Sequence, residues 1–412
     1  MSLGPQGAVG LFLVIGGGLL GAPLVVVLGL CATGFDLARG VWRERGLVGL
    51  VYERHLGRRE CVVGDAVPLT ISVWNRKALP LPWVRAEDQA TEGIHVRERS
   101  LVRGEEFGLA LVNAWTLAPY ERVVRHFTLV AERRGVHKLG PVRLDVGDLF
   151  AGSAGIVEIE QHDRWIVRPR SVPVRGVMVR ERWAGDERAR RGLLEQPISY
   201  AGVRDYVPGD PVRRIHVRTS ARLGRAVVKR FDPAREREVL LALDIQTLPG
   251  PAWATAYDDD LVEGLCVTAA SVVRRLREDG AAFGLAAAAW SGSPRSIAFL
   301  GPSESVSQLE RTLDLLARLS SFPSGPFPRL LSGLPRHLRP GATVLILTAR
   351  DPASFVPAIR RLTNLGYPVT VLLHGERAEA AAPPGRRLAA GIPVRIARLD
   401  GPWPTASAVA IQ

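Results

Sequence analysis

The sequence predicts a multidomain α+β protein. It has an amino-terminal membrane helix, then a β-sandwich of immunoglobulin-like shape, then a doubly wound, Rossmann-like α/β domain. Three observations carry this reading. Residues 1–35 contain no Asp, Glu, Lys, Arg or His; residues 61–150 alternate apolar and polar side chains between turn signals; and from residue 236 apolar runs alternate with amphipathic helical stretches. A length of 412 residues suits two or three folded units.

The first segment, Ala8 to Phe35, is long enough as a helix to cross a bilayer core of about 30 Å. Its start has no basic residue, and Leu30 before Cys31 spoils a lipoprotein site, so it reads as a retained anchor. Gly16-Gly17-Gly18 and Pro23 would suit a short hairpin, but two full spans do not fit, and one span is expected. Arg39, Arg43, Arg45, Arg54, Arg58 and Arg59 follow in a basic juxtamembrane segment, 36–60, which places the soluble domains in the cytoplasm.

In the β region, 61–150, Val67, Leu69, Ile71 and Val73 alternate with Pro68, Thr70 and Ser72, and six to eight short strands are expected. Residues 151–235 are rich in Arg and Pro and read as a basic connector. In the last region, 236–412, strands are expected at 239–244, 281–290, 343–348 and 367–374. Helices are expected at 258–279, 303–319 and 352–364. Such alternation gives parallel βαβ units, whose ligands sit at the carboxyl ends of strands, here at Asp244 and around 348–351.

Composition narrows the function. The 54 basic and 41 acidic residues give a net charge of +13, but the excess is spread along the chain rather than gathered, so nucleic-acid binding is not expected. Three widely spaced cysteines, Cys31, Cys61 and Cys266, build neither a disulfide framework nor a metal knuckle. The chain has no GxxxxGK[ST] loop, no HExxH motif, and no GxGxxG after the first α/β strand, so no cofactor is implied.

The segment from Ser199 to Phe231 stands apart, with eight basic and two acidic side chains around a Pro-Gly-Asp turn. Arg204, Asp205, Tyr206, Pro208, Gly209, Asp210, Arg213, Arg214, Ile215, His216, Ser220, Ala221 and Arg222 resemble the signature of the domain of unknown function 58 (DUF58) family, with Val217 where that family usually has Trp. The resemblance extends to the membrane segment, to a β domain ending in the Asp148-Leu149-Phe150-Ala151 turn, and to a von Willebrand A-like carboxyl-terminal domain. From the residues themselves, Asp205 and Asp210 could pair with Arg213, Arg214 and Arg222 as a structural staple, or the surplus arginines could face an acidic partner.

The von Willebrand A resemblance implies a metal site whose first loop reads Asp-x-Ser-x-Ser. Here Asp244 is followed by Gln246 and Leu248 at the serine positions, and Ala349 stands where a later Asp belongs, with Asp351 two residues on. The site reads as degenerate, and no bound metal is expected. The resemblance further implies a MoxR-type AAA+ ATPase as partner. The expected function is therefore a non-enzymatic, membrane-anchored scaffold or adaptor that binds protein partners in the assembly or maturation of other proteins. Two rival readings remain: a hydrolase or transferase using Asp205, His216 and Asp244, and an anionic-lipid or nucleic-acid binder using the arginines of 204–230.

Overall fold

The uncharged amino-terminal stretch folds as two helices where one span was expected. The computed structural model of the protein describes residues 4–104, 108–150, 152–176, 200–207, 215–231, 238–248, 257–291, 297–375, 387–388 and 391–412. Helix α1 covers Pro5–Leu19 and α2 covers Pro23–Arg45, each with proline in its first turn, where the missing N–H leaves no bond unmade. The turn between them places Gly21 at φ +62°, a conformation that only glycine adopts freely. The three glycines at 16–18 lie inside α1, not at the break.

Small residues set the contact between the two helices. A Cβ on Gly29 would lie 2.6 Å from the carbonyl oxygen of Gly10, and one on Gly10 would lie 2.7 Å from the Thr33 nitrogen, so only glycine lets the backbones approach this closely. Gly4 N–H donates to Asp36 Oδ2 at 2.7 Å, which brings the start of α1 beside the charged part of α2. Helix α2, at 23 residues, is long and apolar enough to cross a membrane. It continues past Phe35 without a break, and Arg43 and Arg45 in its last turn face the negative end of the helix dipole.

Two compact units divide the chain, 1–168 and 169–412. In the first, the strands are β1 (Leu50–Leu56), β2 (Glu60–Val62), β3 (Ala66–Asn75), β4 (Leu81–Ala90), β5 (Ile94–Val96), β6 (Val102–Arg103), β7 (Leu109–Leu117), β8 (Arg122–Ala131), β9 (Gly135–Gly147), β10 (Ser153–Ile159) and β11 (Asp163–Arg168). They form one sheet ordered β1-β3-β8-β5 and a second ordered β2-β11-β9-β4-β7-β6, with β10 paired to β9. The alternation read in the sequence places Val67, Leu69, Ile71 and Val73 in the core, opposite Leu139, Val142, Leu144 and Val146 of β9 on the other sheet. This sandwich reaches beyond the expected 61–150 at both ends. Strand β1 carries the juxtamembrane arginine Arg54, and β11 buries Trp165 and Val167 within a stretch whose Arg and Pro content had marked it as connector.

The second unit contains β12 (Val174–Gly176), β13 (Tyr200–Asp205), β14 (Val227–Phe231), β15 (Glu238–Leu243), β16 (Ala282–Ala287), β17 (Ala298–Ser303), β18 (Thr343–Thr348), β19 (Val369–Leu373), β20 (Arg387–Leu388), β21 (Ile392–Leu399) and β22 (Val409–Ile411). Its helices are α3 (Val217–Leu223), α4 (Asp259–Glu278), α5 (Gln308–Arg318), α6 (Phe327–Gly333) and α7 (Val356–Asn364). The main sheet runs β12-β22-β21-β19-β18-β15-β16-β17, and from β21 to β16 neighbouring strands are parallel. Leu241, Leu243 and Ile245 pack towards α4, whereas Leu240 and Ala242 pack towards α6 and α7. Coverage of both faces explains why the apolar strands run without alternation. The helix expected from residue 303 starts later, because 298–303 is the antiparallel edge strand β17.

Candidate functional site

The doubly wound order changes direction at β15: the chain proceeds through α4 to β16 on one side and returns as β18 on the other. The crevice at the carboxyl ends of β15 and β18 is therefore where a sheet of this kind holds its ligand chemistry. Asp244 stands there, 2% exposed, with its N–H donating to the Leu347 carbonyl at 2.9 Å. Thr348 Oγ1 donates to Asp244 Oδ2 at 2.9 Å, and Arg350 donates to the same oxygen from Nε at 2.9 Å and Nη2 at 2.8 Å. Burial pushes the Asp244 carboxyl pKa upward, and the Arg350 guanidinium and the hydrogen bonds only partly offset this.

The neighbouring positions hold the loop itself. Gln246 Nε2 donates to the Leu248 carbonyl at 3.0 Å, and Thr247 Oγ1 accepts the Asp258 N–H at 2.9 Å. Asp258 in turn caps α4 by accepting from Leu261 N–H at 3.1 Å. Asp351 accepts the Ala353 N–H at 2.9 Å and so caps a short 3₁₀ turn, Pro352–Phe355. Among the described residues no group of three or more His, Cys, Asp or Glu is gathered as metal ligands. The positive charge beside Asp244 is supplied by Arg350, which sequence reading missed because it weighed residues 349 and 351 and passed over the one between them.

The basic motif folds as a strand–helix–strand unit. Strand β13 pairs antiparallel with β14, Ile215 bridges to Val228, and α3 lies between, closed by Gly224 at φ +64°. His216 caps α3, its Nδ1 accepting the Thr219 N–H at 3.2 Å. Ser220 fastens the helix to β14, its hydroxyl accepting Val227 N–H at 2.9 Å and donating to the Val227 carbonyl at 3.3 Å. Asp205 pairs with Arg225 at 2.9 Å in an exposed bridge. Tyr206 N–H donates to the Ala226 carbonyl at 3.0 Å, and Arg222 lies in the last turn of α3. Arg204 belongs to β13 by its backbone; Pro208, Gly209, Asp210, Arg213 and Arg214 lie outside the described residues. Val217, 75% exposed, and Leu223, 49% exposed, stand on the surface of α3 beside the exposed Arg218, Arg222 and Arg225.

A larger ionic cluster lies inside the sandwich, where none was expected. Arg54 Nη1 meets Asp88 Oδ1 at 2.5 Å and Nε meets Asp163 Oδ2 at 2.7 Å, while Nη2 donates to the carbonyls of Leu139 (2.9 Å) and Gln161 (2.8 Å). Tyr52 OH adds a donor to Asp88 at 2.7 Å. Desolvation raises the Asp88 pKa against the pull of Arg54 and raises that of Tyr52 well above normal. Each of the three guanidinium nitrogens bonds to protein, which makes the cluster a tie between β1 and the opposite sheet.

Comparison with known proteins adds relatives without an assigned activity. The chain is 26% identical over 236 residues to the "Uncharacterized protein YeaD" of Bacillus subtilis, a match that covers 57% of this chain and 54% of that protein. The chain thus spans about half the length of the curated relative it matches. Among solved structures, the CARDB domain of the PF1109 protein from Pyrococcus furiosus is 15% identical, covers 29% of this chain and 91% of that one, and has a TM-score of 0.20. The sporulation control protein Spo0M from Bacillus subtilis is 15% identical, covers 29% and 50%, and has a TM-score of 0.19. Residues 202–319, which hold most of the β13–α3–β14 unit, Asp244, α4 and α5, match the family described as "Protein of unknown function DUF58".

Proposed function

We propose that this protein is a membrane-held adaptor whose α/β unit binds another protein and carries out no chemistry itself. The observation that carries the reading is the Asp244–Arg350 pair. At the crevice where this architecture places reactive groups, the buried Asp244 carboxylate is already matched by a guanidinium, so the edge offers shape and hydrogen bonds in place of a free base or a cation ligand. We read the unit as von Willebrand A-like on the same ground: a central parallel sheet covered by helices on both faces, with an acidic residue ending its first parallel strand. The exposed apolar and basic side chains of α3 supply a contact surface for an acidic partner.

The family resemblance supplies the partner class, a MoxR-type AAA+ ATPase, and the arginines after Phe35 favour a cytoplasmic location in which such a partner works. Anchor and adaptor would then provide place and recognition, and the ATPase energy. The test is purification of the full-length chain from membranes with and without ATP. Co-purification of an AAA+ ATPase that is lost when Arg213 and Arg214 are reversed to Glu, in a protein that remains folded, supports the reading. Absence of any ATPase in every nucleotide state sinks it.

A further inference from the structure

The turn between β9 and β10 carries two large apolar side chains in the open, Leu149 at 58% and Phe150 at 44% exposure. It lies against α2 at the level where the uncharged helix ends. The Phe150 ring centroid is 4.2 Å from that of Phe35, the last residue before Asp36. One helical turn further on, Arg39 Nε bonds Asp148 Oδ2 at 2.8 Å and its guanidinium carbon lies 5.6 Å from the Phe35 ring centre. Beyond that, Arg43 and Arg45 are exposed. Along α2 the order is therefore apolar helix, aromatic pair with exposed leucine, then arginines, which is the sequence of environments from acyl chain through boundary to headgroup.

The hairpin fixes which side this is. From Pro23 to Phe35, at 1.5 Å per residue, the uncharged limb of α2 is about 20 Å long, less than the ~30 Å of a bilayer core. Its partner limb returns to Asp36 through the Gly4 bond. The chain thus enters and leaves at one level, and the turn stands at that level. We propose that Leu149 and Phe150 insert into the headgroup–acyl boundary of the lipid bilayer that holds α1 and α2, making the turn a second membrane contact that sets how the sandwich meets the surface.

The occupant is lipid because the apolar pair continues the lipid-facing surface of the hairpin, where Leu24, Val27, Leu28 and Leu30 are exposed. The polar groups beneath the pair are already satisfied. Asp148 Oδ1 accepts the N–H groups of Phe150 and Gly152, both at 2.8 Å, and Oδ2 takes Arg39. Burial works against the Asp148 carboxylate, but Arg39 and these N–H groups prevail and hold its pKa below the usual range, so the turn enters the boundary with a neutralised pair.

This inference rests on the membrane-anchor reading, and the test separates the two. Single cysteines are placed at Leu149, at Leu28 in α2 and at Glu132, which precedes β9 and lies about 40 Å along that strand from the turn. The background is full-length Cys31→Ala protein, since Cys61 and Cys266 are buried. Each is labelled with an environment-sensitive dye in phosphatidylcholine–phosphatidylglycerol vesicles containing lipid that carries a nitroxide near the headgroup end of its chain. At least twofold quenching is expected at positions 28 and 149, and none at 132. Quenching at 28 with 149 behaving like 132 overturns the proposal and leaves the anchor standing. No quenching at 28 removes the anchor reading itself. A dye response at 149 that grows with protein-to-lipid ratio and not with quencher content assigns the patch to a second copy of the chain, which also overturns the proposal.

Discussion

Arg350 sends two donors, Nε and Nη2, to a single oxygen of Asp244. Both side chains are largely removed from water, at 13% and 2% exposure, so each is the other's principal counter-charge. Removing one partner of such a pair is more costly than the pair itself is favourable.

Arg350→Ala is accordingly expected to destabilise the α/β unit by about 3 kcal/mol, read from urea unfolding. The sign of its pH dependence follows from the raised carboxyl pKa. A carboxyl that holds its proton more tightly when folded favours the native state at pH below its unfolded pKa, and that contribution is lost as pH rises through the folded value. Without Arg350 the folded value climbs further, so the variant should lose more stability at pH 8 than at pH 5. Equal losses at both would show that Asp244 is not left charged and alone.

Asp88→Asn removes the buried one of the two carboxylates that meet a wholly buried guanidinium, leaving Asp163, and should cost the sandwich about 3 kcal/mol. Tyr52→Phe removes one donor from the same carboxylate and should cost about 1–3 kcal/mol. Thermal melts of both variants check the order; Tyr52→Phe exceeding Asp88→Asn would contradict it.

Gly29→Ala puts a Cβ within 2.6 Å of the Gly10 oxygen and 2.7 Å of the Val14 nitrogen, both backbone atoms that cannot swing aside. The helices must separate. Spin labels on residues 12 and 30, both exposed positions, should report a longer mean distance between helices while the other units melt as before.

Burial pushes the Cys61 thiol up to about 11, so at pH 8 only about a thousandth of it is thiolate. Alkylation of Cys61 should be slow in the native protein and should accelerate on unfolding of the sandwich. Rapid labelling of native protein at pH 8 would place the thiol elsewhere.

Ser220→Ala loses the bond from Val227 N–H and should cost about 1 kcal/mol, without effect on partner capture. Loss of capture in a folded Ser220→Ala protein would move the serine from latch to contact.

Local patterns in the sequence revealed the strands and α4. Val67 to Val73 alternate because one face of β3 is wet, and the run at 239–243 is apolar throughout because both its faces are covered. Asp258 announces α4 as an N-cap would. Pairings across the chain were hidden. Arg54 sits among juxtamembrane arginines and reads as one of them, although its partners lie 34 and 109 residues away. Arg350 is flanked by the two positions a metal-site pattern inspects, and no periodicity singles it out. Strands β11 and β12 are short and set among Arg and Pro, so composition there indicated a connector although both strands join sheets.

The reach of Arg54 also bears on the order of events during synthesis. Its guanidinium is on the first strand of the sandwich, and its last partner, Asp163, follows 109 residues later. At about 5–20 residues per second, that interval is on the order of 5 to 20 s. Once Asp88 has emerged, 34 residues after Arg54, the guanidinium has one of its two carboxylate partners and waits for the other. Strand β11, which pairs with both β2 and β9, brings that last carboxylate, so the full set of Arg54 contacts is complete only after it has emerged.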